Sequence, residues 1–596
     1  MSSKRTIARL WRDAVAAKRT NPAYLVQEGE QWHPVAWEEA AERVDAYANG
    51  LLALGIRRGD AFAILATTRV EWALIDFALG QIGAIGAAIY ASSSPKDVGY
   101  IIEHSDSVGV LCEDEAQLAK VEQVRAEIPR LEHVLTFADL DELAQKGRAF
   151  AATHPNALAE AAEAVEEDDL FTYIYTSGTT GPPKGCMISN LNYYAMVAVV
   201  DDLETFTGPE DTMLLYLPLA HNFGRLMHLS GPYVGYTIAF LPDPLQAASA
   251  LATVKPTVFP SVPRVYEKIH TAVLAKFDEA TGAKRKLIDW AIPLGRRVSA
   301  LRRAGRPVPR SLELQYRLAD KLVYAKVKER LGGRLRTAIS GGAPLGIEVA
   351  EFFHGLDILL IEGYGLTECT TAATTSTHSA FRFGTVGRAL PGFELKLADD
   401  GELLVRSETI FQGYYKDPEA TAEVMTPDGW LLTGDIAEID ADGYVTITDR
   451  KKDIIVTAGG KNVAPQNLEN ELKGSKYISQ ALVVGDRKPY VAALITVDAE
   501  EIGKWAAKEG IAGGPAELCQ EPKVRELIQG IVDEVNADRS RHEQVRRFEI
   551  LPRDFTMDAD ELTPTLKLKR RVCKEHFAAE LDELYAGQTL NQAAGV

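Results

Sequence analysis

Cysteine is sparse and without pattern. The five residues, Cys112, Cys186, Cys369, Cys519 and Cys573, form no CxxC pair and no zinc-like spacing. That excludes a disulfide scaffold and points to a reduced, cytoplasmic compartment. Positive charge is in deficit: 65 Lys+Arg stand against 84 Asp+Glu, a net charge of −19. A nucleic-acid coat and a globally basic membrane binder are disfavoured by that sign. Sustained apolar runs are missing too. The longest uncharged stretches, Phe77 to Pro95 and Leu226 to Pro242, are broken by Gly, Ser, Pro, Gln or His, so neither reads as a spanning helix. The N-terminus meets Arg9 and Arg12 before any apolar run and lacks a secretory h-region. Peripheral membrane contact stays open, and no internal repeat or long low-complexity segment is visible.

What is present is a long, ordinary globular composition: 596 residues, 46% hydrophobic and 25% charged. At about 150 residues per domain this allows several compact units or two large ones. Helical spacing at Trp37, Ala40, Ala41, Val44, Ala48 and Leu51 precedes the buried-strand run Ala61 to Ala66. A helix near Val70 to Leu79 and the run Gly83 to Tyr90 repeat the step, which favours parallel α/β layers. Ala151 to Asp169 reads as a surface helix and connection leading to a strand at Phe171 to Tyr175. From about Gly384 short alternating segments with Asp400-Gly401 and Asp442-Gly443 turns predict β-hairpins in a barrel-like subdomain over about 384–449. The charged knot Asp449 to Asp453 then marks the main boundary.

Directly after the strand lies Tyr175-Thr-Ser-Gly-Thr-Thr-Gly-Pro-Pro-Lys-Gly185. Glycines and hydroxyls from Thr176 to Gly181 offer unhindered N–H and O–H donors, and Lys184 adds a point charge, a chemistry suited to polyphosphate. The spacing is not the GxxxxGK[ST] phosphate loop, so the usual P-loop NTPase is excluded.

This segment resembles the phosphate-loop signature of the adenylate-forming acyl-coenzyme A synthetases. Glu362-Gly-Tyr-Gly-Leu-Thr-Glu368 resembles that family's adenine and magnesium motif, and Trp430-Leu-Leu-Thr-Gly-Asp435 its ribose motif. Asp449 to Pro465 resembles the hinge and thiol tunnel, and Leu562-Thr-Pro-Thr-Leu-Lys-Leu-Lys-Arg570 the segment of the mobile catalytic lysine. The resemblance covers nearly the whole chain. It implies a large N-terminal domain, 1–450, of layered α/β subdomains plus the barrel-like one, and a small mobile α+β lid, 451–596. It also implies ATP, Mg²⁺ and coenzyme A, a small-molecule carboxylic acid as substrate, and a monomer or homodimer.

The same resemblance assigns residues. Lys567, Glu368, Thr367 and His221 are the catalytic set, with Glu368 the metal ligand. Thr176, Ser177, Gly178, Thr179, Thr180, Lys184, Gly341, Gly342, Ala343, Gly363, Tyr364, Gly365, Asp435 and Arg450 bind nucleotide. Lys452 is the hinge, and Gly459, Gly460 and Lys461 form the coenzyme A tunnel. Val262 to Tyr266 is expected in the pocket wall. Asn190, Pro182 and Asn222-Phe-Gly224 depart from the family pattern. The branch most resembled is the bacterial long-chain fatty acid ligases. The alternatives are a ligase for a bulky polyketide or terpenoid acid of specialised metabolism, performing both half-reactions or only thioesterification, and an acyl-AMP ligase loading a carrier protein.

Overall fold

A computed structural model describes residues 4–29, 31–176, 182–537, 539–563 and 567–586. Its first layer is a six-stranded sheet in the order His133–Thr136, Ser107–Cys112, Ala61–Ala66, Ile85–Tyr90, Leu170–Thr176, Lys184–Ser189. The first five strands run parallel. All six residues of Ala61–Ala66 are buried, as expected for a parallel strand covered on both faces. The helix Val70–Ile82 stops at Gly83, whose φ of +68° lets the chain turn directly into Ile85–Tyr90. Ala151 to Asp169 contains the end of one helix, Leu140–Thr153, and a second, Ala157–Ala164.

A nine-stranded sheet forms the second layer. Six parallel strands, Leu359–Tyr364, Thr337–Gly341, Val258–Ser261, Thr212–Leu215, Thr237–Phe240 and Tyr24–Glu28, make its centre. Antiparallel strands close each side. The hairpins expected after Gly384 form a four-stranded antiparallel sheet: Glu394–Leu397, Glu402–Arg406, Leu431–Ile439 and Val445–Arg450. One hydrophobic cluster runs from Ile7 to Val445.

Beyond Arg450 the apolar contacts are separate. A small ribbon pairs Ile455–Val456 with Asn462–Val463, and a three-stranded sheet joins Ile478–Val484, Val491–Val497 and Val545–Ile550. Its two faces bury different clusters. One holds Leu468, Ile502, Ile528 and Val532; the other holds Leu551, Phe555, Cys573 and Phe577. No helix among the described residues is long and apolar enough to cross a membrane.

Candidate active site

A cavity of about 2660 Å³ opens where the C-terminal ends of the central parallel strands meet the four-stranded sheet and the C-terminal unit. Such strand ends are the usual ligand edge of a parallel sheet, because loops and unpaired backbone groups gather there. Thr176, Lys184, His221, Gly341, Gly342, Ala343, Gly363, Tyr364, Gly365, Thr367, Glu368, Asp435, Arg450, Lys452 and Lys567 all line it. Ser177, Gly178, Thr179 and Thr180 lie outside the described residues. Their flanks are fixed by the antiparallel pairing of Thr176 with Lys184.

Backbone geometry explains two glycines. Gly342 has a φ of +85°, a left-handed conformation costly for other residues. A Cβ on Gly365 would stand 2.0 Å from the Thr371 carbonyl oxygen, so the turn into Thr367 and Glu368 requires glycine.

Polar contacts lock the cavity floor. Asp435 and Arg450 sit opposite each other on adjacent antiparallel strands, and the Arg450 Nε is 3.0 Å from the Asp435 carboxylate. The Tyr364 hydroxyl donates to the other Asp435 oxygen at 2.6 Å. Glu368 accepts from the Tyr414 hydroxyl at 2.6 Å, and Lys184 Nζ lies 5.0 Å over the Tyr414 ring. His221 caps the helix Asn222–Val234, its Nδ1 accepting from the Phe223 N–H at 3.1 Å. Burial, then the Lys567 charge, push His221 down to about 4, so it is a neutral imidazole at physiological pH. Desolvation in the cleft and the Arg450 charge pull Lys567 below the usual lysine range, opposed by Asp435 and Glu368.

Several contributors had no role assigned from the sequence. Burial raises the Glu362 carboxyl to about 7, and the Leu345 N–H donates to it at 3.1 Å. Asn222 donates to the Thr367 carbonyl at 3.0 Å and accepts from the Tyr193 hydroxyl, so this departure from the family pattern ties two cavity walls together. Asn190 is likewise structural, accepting from the Ile7 N–H and donating to the Asp169 carbonyl. One turn into the His221-capped helix, Arg225 is fully buried. It pairs with Asp76 through both carboxylate oxygens and donates to Thr172 at 2.8 Å.

The Lys567 segment is clasped at its base. Leu562 bridges to Leu568, the Thr563 N–H donates to the Lys567 carbonyl, and the Lys569 N–H donates to the Glu561 carbonyl. Buried Glu561 accepts from both Arg553 guanidinium arms at 2.7 and 2.6 Å and lies 3.0 Å from His576 Nδ1. Lys452 is exposed. On one side Lys451 is ion-paired to Asp400 and Glu402; on the other Asp453 faces Arg570, which holds Glu469 at 2.6 Å.

Two expectations are placed elsewhere. Gly459, Gly460 and Lys461 form the exposed tip of the small ribbon and do not line the cavity. Nor does Val262 to Tyr266: Tyr266 is buried, its hydroxyl donating to the Phe259 and Ile339 carbonyls, and His270 is what the helix Pro263–Asp278 sends to the cavity. The five cysteines are free and buried. Burial pushes Cys112, Cys369 and Cys573 up to about 12, which leaves no thiolate nucleophile among those three.

Known proteins resemble the chain over nearly its whole length. Residues 11–415 match the AMP-binding enzyme model and residues 452–589 the AMP-binding enzyme C-terminal domain. The chain is 38% identical to the long-chain-fatty-acid–CoA ligase FadD15 of Mycobacterium tuberculosis over 95% of both chains. It is 32% identical to the peroxisomal long chain acyl-CoA synthetase 7 of Arabidopsis thaliana, over 93% of this chain and 81% of that one. Among solved structures, the adenylation domain of a carboxylate reductase from Mycobacterium chelonae superposes with a TM-score of 0.76 at 26% identity, covering 98% of this chain and 91% of that one. With both halves matched and relatives alike over nearly the whole length, the chain belongs to the AMP-binding enzyme family.

Proposed function

We propose that the protein is an ATP-dependent ligase that activates a long-chain fatty acid as its acyl-adenylate and then transfers the acyl group to the thiol of coenzyme A. The observation that carries this reading is convergence: Lys567, from the C-terminal unit, enters the same cavity as Glu368, Asp435 and Arg450. That cavity also has an apolar wall from Met196, Val199, Val200, Leu203, Phe206, Leu226 and Met227. By name, one relative described above is a long-chain-fatty-acid–CoA ligase and the other a long chain acyl-CoA synthetase.

In this reading the adenine stacks on Tyr364 beside the Gly341–Ala343 backbone, and Asp435, steadied by Arg450, accepts from the ribose hydroxyls. Thr176 to Thr180 and Lys184 hold the polyphosphate, and Thr367 donates to the α-phosphate. Among the described residues no three His, Cys, Asp or Glu side chains gather as a metal cage. A single carboxylate, Glu368, suits Mg²⁺, which keeps substrate phosphates and waters in its other positions. The metal would spread phosphate charge during displacement.

The acid's carboxylate oxygen attacks the α-phosphorus of ATP, the bond to the β-phosphate oxygen breaks, and pyrophosphate leaves. Lys567 offsets the negative charge of the nucleophile and α-phosphate, a preorganised electrostatic role. Neutral His221 lines the carboxylate's approach without adding charge. Thioesterification then requires that Lys567 withdraw, because the thiol must reach the acyl carbon. We place the division after Arg450, with Lys452 as the hinge between Lys451, held by the body, and Asp453, held by Arg570. Rotation there would bring Gly459, Gly460 and Lys461 to the cavity mouth.

An acid series of rising chain length, with mass-spectrometric detection of adenylate and thioester, tests the reading. Adenylate and acyl-coenzyme A both forming from long-chain acids is the expected result. Preference for a bulky cyclic acid would overturn the substrate assignment. Thioester formed only on a carrier protein would overturn the acceptor.

A further inference from the structure

Between Lys284 and Arg336 the chain carries sixteen Lys and Arg against four Asp and Glu, a net +12 inside a protein of net −19. This stretch folds as an outer helical layer: Gly282–Arg303, Arg310–Ala319, the π turn Asp320–Tyr324 and Ala325–Arg330. The second helix and its π extension are apolar on two faces. Leu312, Tyr316, Ala319 and Val323 point inward and are buried. Leu314, Leu318 and Leu322, spaced four apart, face outward and are 68%, 51% and 38% exposed. On helical spacing Arg310, Arg317 and Lys321 flank one side of this leucine stripe and Lys326 the other. Arg306, Arg310, Lys321 and Lys326 make no ion pair among the described residues.

We propose that this layer is a docking face for an anionic lipid bilayer, with Leu314, Leu318 and Leu322 entering the boundary between headgroups and acyl chains and Arg306, Arg310, Lys321 and Lys326 meeting the lipid phosphates. Only a lipid surface supplies anionic headgroups and hydrocarbon side by side at the depth of one side chain. A second copy of this chain would bring an identical basic face across a two-fold axis, and like charges would oppose the contact. A nucleic-acid backbone would match the charge but leave the leucine stripe against phosphates and water.

The position of the face gives docking a consequence. The helix Gly282–Arg303 crosses Ile347–Gly355 so closely that a Cβ on Gly295 would lie 2.8 Å from the Gly355 carbonyl oxygen. Ile347 and Val349, at the other end of the helix Ile347–Gly355, line the cavity. A bilayer on the outer face therefore lies one helix away from the cavity wall. The inference does not rest on which acid is activated.

The test is co-sedimentation of the full-length protein with vesicles of phosphatidylcholine alone or mixed with phosphatidylglycerol. Wild-type protein is expected to pellet only with the anionic vesicles. Binding should weaken about fivefold for each basic residue removed at low salt and vanish near about 1 M salt, where charges are screened within about 3 Å. Arg310→Glu with Lys321→Glu should abolish pelleting. Leu314→Ser, Leu318→Ser and Leu322→Ser together should do the same at unchanged charge. Both variants should keep the wild-type melting transition and wild-type ATP–pyrophosphate exchange, since none of these side chains lines the cavity. Failure of the wild type to bind anionic vesicles, or equal binding by wild type and variants, would overturn the proposal. So would a dimer that dissociates in the leucine variant, or binding of duplex DNA in place of vesicles.

Discussion

The large body and the C-terminal unit anchor their cavity residues in opposite ways. In the body, Arg225 and Asp76 are 149 residues apart in sequence and both wholly buried. They tie the helix that begins at His221 to the helix Val70–Ile82 and, through Thr172, to the strand leading to the phosphate segment. In the C-terminal unit, Glu561 is held by Arg553 and His576, only 8 and 15 residues away, and both partners are partly exposed. A long-range anchor fixes elements to one another. A local one travels with its loop, which is what the proposed entry and withdrawal of Lys567 would require.

Breaking the long-range anchor should have the largest effect. Asp76→Asn leaves the Arg225 guanidinium buried without its counter-charge, and such a loss costs about 3–5 kcal/mol. Arg225 also packs 4.9 Å over the Phe171 ring, and a Cβ on Gly86 would stand 2.9 Å from it, so it has no room to reach water. Denaturant unfolding of Asp76→Asn should show a sharply lower midpoint. Replacing both partners by apolar residues should cost far less than the two single changes summed. Additive losses would show that the pair is not what ties the two helices.

The chemical groups in this comparison were legible in the sequence but their supports were not, for physical reasons. Ala61–Ala66 was legible because a parallel strand buried on both faces reads as an unbroken apolar run. Asp435 was legible only through the resemblance of Trp430 to Asp435, and it lies within the strand Leu431–Ile439; its pairing with Arg450 depends on strand register, and that ladder shifts between Ile436 and Ala437. Tyr414, the donor to Glu368, lies 46 residues downstream with nothing marking it. Asp76 and Arg225 were invisible: a single charge in an apolar helix resembles a solvated residue until the fold brings its partner opposite. Gly459 and Gly460 were assigned to the coenzyme A tunnel by resemblance, but their place outside the cavity lining belongs to the arrangement of the two units, which no local pattern encodes.

The lysine itself supplies the next largest effect. Lys567→Ala should lower the adenylation rate by about 10²–10³-fold, the usual scale for one preorganised electrostatic group. It should leave thioester formation from a supplied acyl-adenylate unchanged. Single-turnover assays of each half-reaction separate the two, and equal losses in both would remove Lys567 from a role confined to the first step.

The local anchor should give the smallest effect and the sharpest test of the contrast. Glu561→Gln keeps the side chain's shape but removes its charge from the Arg553 fork, so the Lys567 loop should sample more positions. Adenylation turnover should fall about tenfold, because small misplacements of a catalytic group are costly, while transfer from a supplied acyl-adenylate stays at the wild-type rate. Against the cost of burial, Arg553 and His576 hold the Glu561 carboxyl down to about 2, whereas a free glutamate titrates near about 4.3. Its folded value is depressed, so its stabilisation is full above about pH 4.3 and disappears as pH falls toward 2. The stability gap between wild type and Glu561→Gln should therefore be constant near neutrality and close on the acid side of pH 4. A gap that persists unchanged to pH 2, or turnover that does not fall in the variant, would mean that shape and not charge clasps the loop, and that the body and the lid do not differ in the way proposed.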